Sequence, residues 1–372
     1  MNLLIVEDDE KLLMSYIDVI ESFNKKHVPK IIHTISKTLT EAKDKLTSTN
    51  FDAAIIDLVL KPAGKIGEAE GNDIIREVVN KLRFPIIVYS GNIGLISEEI
   101  TENIFFKKHS RDSIEFDKLL EYLHNIYLTG ITKILGSKGI IEGYLNDIFW
   151  THISKAMQFW LLHKNEKTLL RYILSIINEH LELNNEGDFE YFEPSEFYIT
   201  PPIKKFLFTG TILQKETNYF LVLSPACDLA QQKSKNILIA EIENLNLPII
   251  TDQMTIINKP IQDGLLPDAY KKAYDKKENS KEILRKIISN NYALKYHYLP
   301  PTTLFRGGIV NFQKISSELL TTTNEAYTPV ASISGIFLKE VISRFSHYYS
   351  RQGQPDMNPD KLLESLMKDD YC

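Results

Sequence analysis

Five short apolar runs alternate with amphipathic stretches through the first third of the chain, and this alternation constrains the fold more than any other sequence feature. The apolar runs lie at residues 3–6, 31–34, 53–56, 85–89 and 103–106. The amphipathic stretches lie at about 10–23, 38–48, 72–82, 94–101 and 113–127. Strands that alternate with helices in this way are typical of a parallel sheet covered by helices. Residues 1–127 are therefore predicted to form one doubly wound α/β domain with a five-stranded parallel sheet.

The remaining residues divide into a helical segment and a second domain. Three glycines between residues 128 and 139 mark the end of the first domain. Residues 128–185 are predicted to be a helical linker, because apolar residues recur at helical spacing at 140–149 and 167–183. Residues 186–372 are predicted to form an α+β domain. Its strand-like runs lie at 205–208, 219–223, 237–242, 296–299 and 308–312, and its helical stretches lie at about 269–288, 335–351 and 359–369.

Charge and composition exclude several classes of protein. Residues 1–128 hold 16 Lys+Arg against 21 Asp+Glu, and the rest hold 27 against 28, so neither part has the basic surface of a DNA-binding domain. The two cysteines, Cys227 and Cys372, are too few for a disulfide framework and indicate a reducing compartment. No apolar run is long enough to span a membrane, and the N-terminus lacks the basic region of a signal peptide. We therefore expect a cytoplasmic protein with neither DNA nor a membrane as its partner.

Acidic and polar side chains follow the predicted strands at the points where the strands end. Glu7 and Asp8 follow the first strand, Asp57 the third, Ser90 the fourth and Lys108 the fifth. Functional groups gather just past the carboxyl ends of the strands in an open parallel sheet. Three carboxylates at one edge repel one another and need a hard divalent cation, Mg²⁺ or Mn²⁺, bound through oxygen ligands.

Such a site can prepare an aspartate as a nucleophile. A carboxylate can accept a phosphoryl group as an acyl phosphate if a metal and a cation neutralise the transferred group and a hydroxyl holds one of its oxygens. In this arrangement Asp57 is the acceptor, and Glu7 and Asp8 hold the metal with it. Lys108 is the cation and Ser90 supplies the hydroxyl.

These residues and their order resemble the receiver domain of two-component response regulators over about residues 1–127. The matching motifs are Leu4-Ile5-Val6-Glu7-Asp8-Asp9, Ile56-Asp57-Leu58-Val59-Leu60, Tyr89-Ser90-Gly91 and Lys108. The resemblance implies a flavodoxin-like (βα)5 fold, a metal contact from the main-chain carbonyl of Val59 and a switch role for the side chain of Phe105. It also implies a histidine kinase or phosphotransfer protein as the phosphoryl donor. A homodimer would use the face formed by the predicted helices 94–101 and 113–127 and the strand between them.

Two features depart from the pattern of this family. His109 follows Lys108 where the family usually has proline, which leaves open whether Lys107 or Lys108 enters the pocket. The offset of Phe105 favours Lys108. The loop after Asp57 is lengthened by the segment 61–70, which is either a tolerated insertion or a segment that tunes dephosphorylation and the choice of kinase.

A cysteine in the predicted second domain is one candidate for an output site. Cys227 and Asp228 follow a strand-like run. The preferred interpretation is a buried small thiol, with Asp228 capping the next turn. The alternative is a nucleophile that His297 or His347 activates.

Two arginines in the same domain form a second candidate. Arg344 and Arg351 lie on one stripe of a predicted helix. We expect them to be solvated or paired with acids. The alternative is that they grip a phosphate or carboxylate.

Taken together, these features predict a response regulator of a two-component phosphorelay. It accepts a phosphoryl group from a histidine kinase on Asp57 with Mg²⁺, and it switches an atypical output domain that does not bind DNA. Three alternatives for the C-terminal part stay open: a phospho-regulated effector enzyme, a phosphate-buffering interaction module of a signalling or phage-defence operon, and an atypical transcription regulator.

Overall fold

The structure is a computed structural model that describes residues 1–57, 82–91, 93, 101–136, 139–182, 191–231, 233–262, 266–351 and 357–368. The chain divides into two compact units, Met1–Phe189 and Glu190–Cys372. The predicted linker 128–185 falls inside the first unit. Val59, the 61–70 loop and nearly all of the predicted helices 72–82 and 94–101 lie outside the described residues. None of the described helices is long and apolar enough to cross a membrane.

The first unit contains a five-stranded parallel sheet. Its strands are β1 (Asn2–Val6), β2 (Ile32–Ser36), β3 (Ala53–Ile56), β4 (Ile86–Ser90) and β5 (Phe106–Ser110). They lie in the order β2-β1-β3-β4-β5, and each neighbouring pair is parallel. The described helices that accompany this sheet are α1 (Glu10–Lys26), α2 (Leu39–Ser48) and α3 (Phe116–Leu128). The predicted flavodoxin-like parallel sheet is confirmed.

Alternate side chains of the strands build a core on each face of this sheet. Leu3 and Ile5 of β1 belong to the cluster that contains side chains of α1 and α3. Leu4 and Val6 belong to the cluster on the opposite face. All four side chains are at most 1% exposed, as expected for a parallel strand covered on both faces. Residues just beyond the ends of such strands are therefore held by a rigid framework.

The fifth strand begins later than predicted, because the sequence placed it at 103–106 and β5 spans Phe106–Ser110. Asn103 explains the shift. Its side-chain oxygen accepts hydrogen bonds from the main-chain N–H groups of Phe105 (2.7 Å) and Phe106 (3.1 Å). These bonds form a turn ahead of the strand. The strand consequently continues beyond Lys108 to Ser110.

Helices continue the first unit beyond α3. They are α4 (Ile131–Leu135), α5 (Ile140–Asp147), a π-helical turn (Ile148–Ile153), α6 (Ser154–His163) and α7 (Glu166–Glu182). Ile148, Ile153 and Trp160 form the centre of a separate small core in this segment. The predicted helical runs at 140–149 and 167–183 correspond to α5 with the start of the π turn and to α7.

The second unit contains a seven-stranded antiparallel sheet. In chain order its strands are β6 (Tyr198–Ile199), β7 (Thr211–Lys215), β8 (Asn218–Val222), β9 (Asn236–Glu243), β10 (Tyr296–Leu299), β11 (Gly308–Leu319) and β12 (Thr328–Ile333). They lie in the order β10-β11-β9-β8-β7-β12-β6. Its described helices are a 3₁₀ turn (Pro194–Phe197), α8 (Ala226–Ala230), α9 (Pro248–Asn258), α10 (Pro267–Ile288), α11 (Leu320–Ala326), α12 (Gly335–Ser350) and α13 (Pro359–Met367). The predicted α+β character of this part is confirmed.

One predicted strand of the second unit is wrong. Residues 205–208 lie in a loop, although Leu207 is only 5% exposed. The Thr211 hydroxyl accepts a hydrogen bond from the main-chain N–H of Phe208 at 3.2 Å, which holds this loop against the start of β7. An apolar side chain buried from a loop gives the same local pattern as a short strand.

Candidate metal centre at the carboxyl edge of the parallel sheet

Two buried acidic residues extend the main-chain ladder one residue past the ends of β1 and β3. The N–H of Glu7 donates to the carbonyl of Ser36 at 3.0 Å, and the N–H of Asp57 donates to the carbonyl of Val6 at 2.8 Å. Glu7 is 2% exposed and Asp57 is 4% exposed. The sheet itself therefore fixes the backbone of both residues side by side.

Glu7, Asp8 and Asp57 form one cluster. Each residue offers a carboxylate oxygen, and these oxygens lie within 4.8 Å of one another. One carboxylate oxygen of Glu7 also accepts hydrogen bonds from the main-chain N–H groups of Asp8 (3.1 Å) and Asp9 (3.0 Å), which orients the side chain. Burial raises the pKa of Glu7, and these hydrogen bonds and the charge of Arg111 oppose the rise.

Asp9 has a different task from its two acidic neighbours. Its Oδ1 accepts hydrogen bonds from the main-chain N–H groups of Lys11 (2.9 Å) and Leu12 (3.2 Å). It is the N-cap of α1. The acidic run thus places two carboxylates in the pocket and uses the third to start a helix.

The donor set fits a hard divalent cation. Mg²⁺ binds through one or two carboxylates and retains several waters, whereas soft or imidazole-preferring metals select sulfur and nitrogen ligands. All three side chains of the cluster offer oxygen. Glu7, Asp8 and Asp57 can therefore hold Mg²⁺ at this edge of the sheet.

Among the described residues, a cation that contacts two of these carboxylates is Arg111, which was not among the predicted site residues. Its Nη2 contacts Glu7 Oε2 and lies 2.6 Å from Asp57 Oδ2. Burial acts to lower the pKa of Arg111, but the charges of Asp57, Tyr16 and Glu7 outweigh this effect. The pKa of Arg111 is therefore raised. A buried carboxylate pair needs such a counter-charge.

Lys108, the predicted cation, lies two residues before the end of β5 and so does not reach the carboxyl edge of the sheet. It pairs in register with Val88, whereas Ser110 pairs with Ser90. The Lys108 ammonium lies 5.7 Å from the centroid of the Phe106 ring, because alternate residues of a strand share a face. Arg111 is the first residue after the strand, and this position brings it to the pocket. A strand end predicted level with Ser90 would have pointed to Arg111.

The other predicted members of the site have distinct positions. Ser90 is buried at the end of β4, next to the strand that leads to Arg111. Phe105 precedes β5 and is 43% exposed, and its switch role stays a prediction. The role of Val59 stays a prediction, because that residue lies outside the described part of the chain.

Two aromatic residues hold the segment that follows Arg111. The hydroxyl of Tyr89 donates to the carbonyls of Ile114 (3.0 Å) and Arg111 (3.4 Å). The ring of Phe116, at the start of α3, stacks on Tyr16 with centroids 4.1 Å apart. The connection from the acidic pocket to α3 is therefore short and packed.

The predicted burial of the Cys227 thiol is wrong. Cys227 is exposed on the short helix α8, and its sulfur lies 3.6 Å from Asp228 Oδ1. Asp228 is inside the first turn of α8, and that helix has Pro225 as its N-cap with no side-chain cap bond. A short amphipathic helix at the surface, rather than a buried turn, accounts for the difference.

Arg344 and Arg351 do not form one binding face. The Nη2 of Arg344 donates to the carbonyls of Ala293 and Tyr296, both at 3.1 Å, so it braces the chain ahead of β10. Arg351 is exposed just after the end of α12. The structure therefore gives Arg344 a structural role that neither interpretation of the stripe had anticipated.

The fold and the acidic cluster define a class. A parallel sheet in the order β2-β1-β3-β4-β5, with three carboxylates past its carboxyl ends, has the flavodoxin-like architecture of receiver domains. The predicted resemblance of the first third to receivers is thus confirmed at the level of the fold.

Comparisons with known proteins found matches among solved structures only. No family model matches the chain, and no curated protein matches it. Among solved structures, the chain is similar to the receiver domain of an HD domain-containing protein from Pseudomonas fluorescens Pf-5, with 19% identity, coverage of 33% of this chain and 91% of that chain, and a TM-score of 0.26. A receiver domain of a Francisella response regulator gives 17% identity, 34% and 97% coverage, and a TM-score of 0.25.

A longer match is a structure of the RcsB response regulator of Salmonella typhimurium, described for its conformational dynamism in DNA interaction. It gives 16% identity, coverage of 50% of this chain and 95% of that chain, and a TM-score of 0.26. All three matches are at most 19% identical to this chain, with TM-scores of at most 0.26.

Proposed function

We propose that this protein is a response regulator whose N-terminal receiver accepts a phosphoryl group on Asp57 in the presence of Mg²⁺. The observation that carries the proposal is the cluster of Glu7, Asp8 and Asp57 at the carboxyl edge of the sheet, with the guanidinium of Arg111 against it. Carboxylates that can hold Mg²⁺ and a cation beside a nucleophilic oxygen are the parts that metal-assisted phosphoryl transfer to an aspartate needs.

The chemistry follows from the roles of the side chains. A carboxylate oxygen of Asp57 forms the new bond to phosphorus while the bond from phosphorus to the donor breaks, and the leaving group departs with the electron pair of that bond. Glu7, Asp8 and Asp57 would hold Mg²⁺, with the carbonyl of Val59 as a further ligand. Bound Mg²⁺ supplies positive charge against the phosphoryl oxygens. The Ser90 hydroxyl would hold one of these oxygens.

Arg111 takes the role first assigned to Lys108 in this proposal. Its guanidinium already contacts Asp57, and a planar guanidinium can pair with two phosphoryl oxygens at once. Arg111 is joined to α3 through the short connection that Tyr89 holds. A change of partner from carboxylates to phosphoryl oxygens would therefore act on the position of α3.

The donor and the output complete the proposal. A phosphohistidine of a kinase or phosphotransfer protein is the expected donor. The second unit is the expected output, and the near balance of 27 Lys+Arg with 28 Asp+Glu over residues 129–372 supports an output other than DNA binding.

Incubation with acetyl phosphate and Mg²⁺, followed by intact mass measurement, tests the proposal. The full chain should gain the mass of one phosphoryl group, the adduct should be labile to hydroxylamine, and chelation of Mg²⁺ should prevent it. The variant Asp57→Asn should gain nothing. An equal adduct on Asp57→Asn, or an adduct that forms equally without Mg²⁺, would exclude the assignment. The matched variants Arg111→Ala and Lys108→Ala then compare the two cations, and only the first should slow the reaction.

A further inference from the structure

A second group of metal-ligating side chains lies in the helical segment of the first unit. Asp147, His152 and His180 each offer one ligand atom, and these atoms lie within 4.8 Å of one another. The residues belong to α5, the π-helical turn and α7. They differ in kind from the acidic pocket, because two of the three donors are imidazole nitrogens.

The π-helical turn brings the first two ligands together. Asp147 and His152 are five residues apart, and in an α-helix that spacing would place them about 140° apart around the axis. The π-helical turn spans Ile148–Ile153. Hydrogen bonds in a π-helix close at a spacing of five residues, so Asp147 and His152 lie about one turn apart on the same side. Such turns often mark functional sites.

Packing of α7 supplies the third ligand. Ile176 and Ile177 pack against the small core that includes Ile148 and Ile153 of the π-helical turn. His180 follows them by four and three residues, so it lies on the same face of α7. The site therefore rests on two helices that hydrophobic contacts already hold together.

The ligands are oriented but not saturated. The Nε2 atom of His180 is shielded from solvent and has no hydrogen-bond partner among the described residues. The His180 ring stacks on Tyr144 with centroids 5.2 Å apart and meets the edge of His152 at 6.2 Å. One oxygen of Asp147 accepts a hydrogen bond from the Thr151 hydroxyl at 2.9 Å. A shielded imidazole nitrogen without a partner can accept a hydrogen bond or bind a metal ion.

We propose that Asp147, His152 and His180 bind a divalent transition metal ion, Zn²⁺ in the first place, with one coordination position left open. Two imidazoles and one carboxylate form a common three-ligand set for Zn²⁺, whereas Mg²⁺ prefers oxygen alone. Ligand atoms around a tetrahedral Zn²⁺ bound at about 2 Å lie about 3.3 Å apart. The observed cluster needs to close by at most about 1.5 Å, which side-chain rotation supplies.

Binding would connect α5 and the π-helical turn to the last turn of α7. The metal would then tighten the helical segment, and the open position would take water or a donor atom from a partner. This site does not depend on phosphorylation of Asp57.

Zinc titration calorimetry on the full chain, with Mg²⁺ in excess to occupy the acidic pocket, tests the site. We expect one Zn²⁺ per chain, and a loss of affinity of at least about tenfold in His152→Ala and in His180→Ala. His33→Ala, on β2 of the same unit, is the matched control and should bind as the wild type does. No Zn²⁺ binding by the wild type, or binding by His152→Ala and His180→Ala as tight as that of the wild type, would overturn the proposal.

Cobalt substitution keeps the test decisive if His180→Ala does not fold. Tetrahedral Co²⁺ bound to the wild type should absorb visible light. His152 is half-buried, so His152→Gln is a milder change, and it should abolish this absorption. The spectrum should lack the charge-transfer bands of a thiolate ligand. Thiolate bands would place the metal on a cysteine and overturn the assignment.

Discussion

At the scale of single residues, the guanidinium of Arg111 lies against two carboxylates of the acidic pocket. Glu7 and Asp57 have side chains that are only 3% and 4% exposed, and both contact Arg111. A buried charge without a partner is costly, so the stability of this pocket depends on its cation. Mg²⁺ and Arg111 can both meet that need, and they share the same carboxylates.

Replacement of Arg111 should therefore have a stability effect that depends on Mg²⁺. Arg111→Ala should lower the free energy of unfolding by about 3 kcal/mol in a chelating buffer, because two buried carboxylates lose their counter-charge. Excess Mg²⁺ should restore a large part of this loss. Urea unfolding of the full chain in the two buffers measures both effects.

Lys108→Ala is the matched control for this prediction. Lys108 lies on β5, three residues before Arg111, and its replacement should change the free energy of unfolding by less than about 1 kcal/mol in either buffer. The account of the pocket is wrong if Arg111→Ala is as stable as the wild type without Mg²⁺, or if Mg²⁺ restores nothing.

At the scale of elements, β10 contains a titratable residue that the fold keeps neutral. His297 is 2% exposed, and burial, with a further contribution from the charge of Arg344, lowers its pKa to about 3 from an ordinary 6.5. Both ring nitrogens lack a hydrogen-bond partner in the described part of the chain. The strand therefore tolerates His297 only as an uncharged ring.

This burial predicts a loss of stability at acid pH. The unfolded chain takes up a proton on His297 below about pH 6.5 and the folded chain does not, so the stabilising contribution is complete above pH 6.5 and is lost as pH falls toward 3. At about 1.4 kcal/mol per pH unit, the contribution falls by about 2 kcal/mol by about pH 5. Urea unfolding between about pH 5 and pH 7.5 measures it.

Two phenylalanine variants make this measurement specific. In His297→Phe, the free energy of unfolding should no longer fall by this amount as the pH is lowered. His347→Phe, at an exposed position of α12, should show the same fall as the wild type. An unchanged pH dependence in His297→Phe would show that another group is responsible.

Prediction from sequence succeeded where an element has a local cause. The strands β1 and β4 were each predicted to within a residue at either end, because buried parallel strands read as uninterrupted apolar runs. The fifth strand was predicted too early in the sequence, because the turn at Asn103 depends on side-chain hydrogen bonds that an apolar pattern does not reveal. Because of this error, Lys108 was predicted as the cation of the acidic pocket and Arg111 was not.

The π-helical turn shows a second limit. The pattern of residues 140–149 predicts a helix, and it continues in the structure through Ile148–Ile153 with wider hydrogen-bond spacing. A single widened turn changes which side chains share a face. The sequence pattern therefore did not predict that Asp147 and His152 lie on the same side of the helix.

At the scale of the whole molecule, the two sheets explain why the acidic pocket was predictable from the sequence and the contacts of Arg344 were not. A parallel sheet gathers the carboxyl ends of its strands at one edge, so the positions of strand ends in the sequence already grouped Glu7, Asp8 and Asp57. The strands of the second unit are antiparallel, in an order that is not the chain order. Spatial neighbours there, such as Arg344 and the carbonyl of Tyr296, follow only from the assembled sheet.

The central claim is that the full chain forms one acyl phosphate, on Asp57. Borohydride reduction tests it most directly, because hydride reduces the carbonyl carbon of an aspartyl phosphate to an alcohol, releases phosphate and leaves homoserine in the chain. After treatment with acetyl phosphate and Mg²⁺, peptide mapping should find homoserine at position 57, and omission of either reagent should abolish it. Homoserine at another position, or at none in a sample whose intact mass shows the phosphoryl group, would contradict the account.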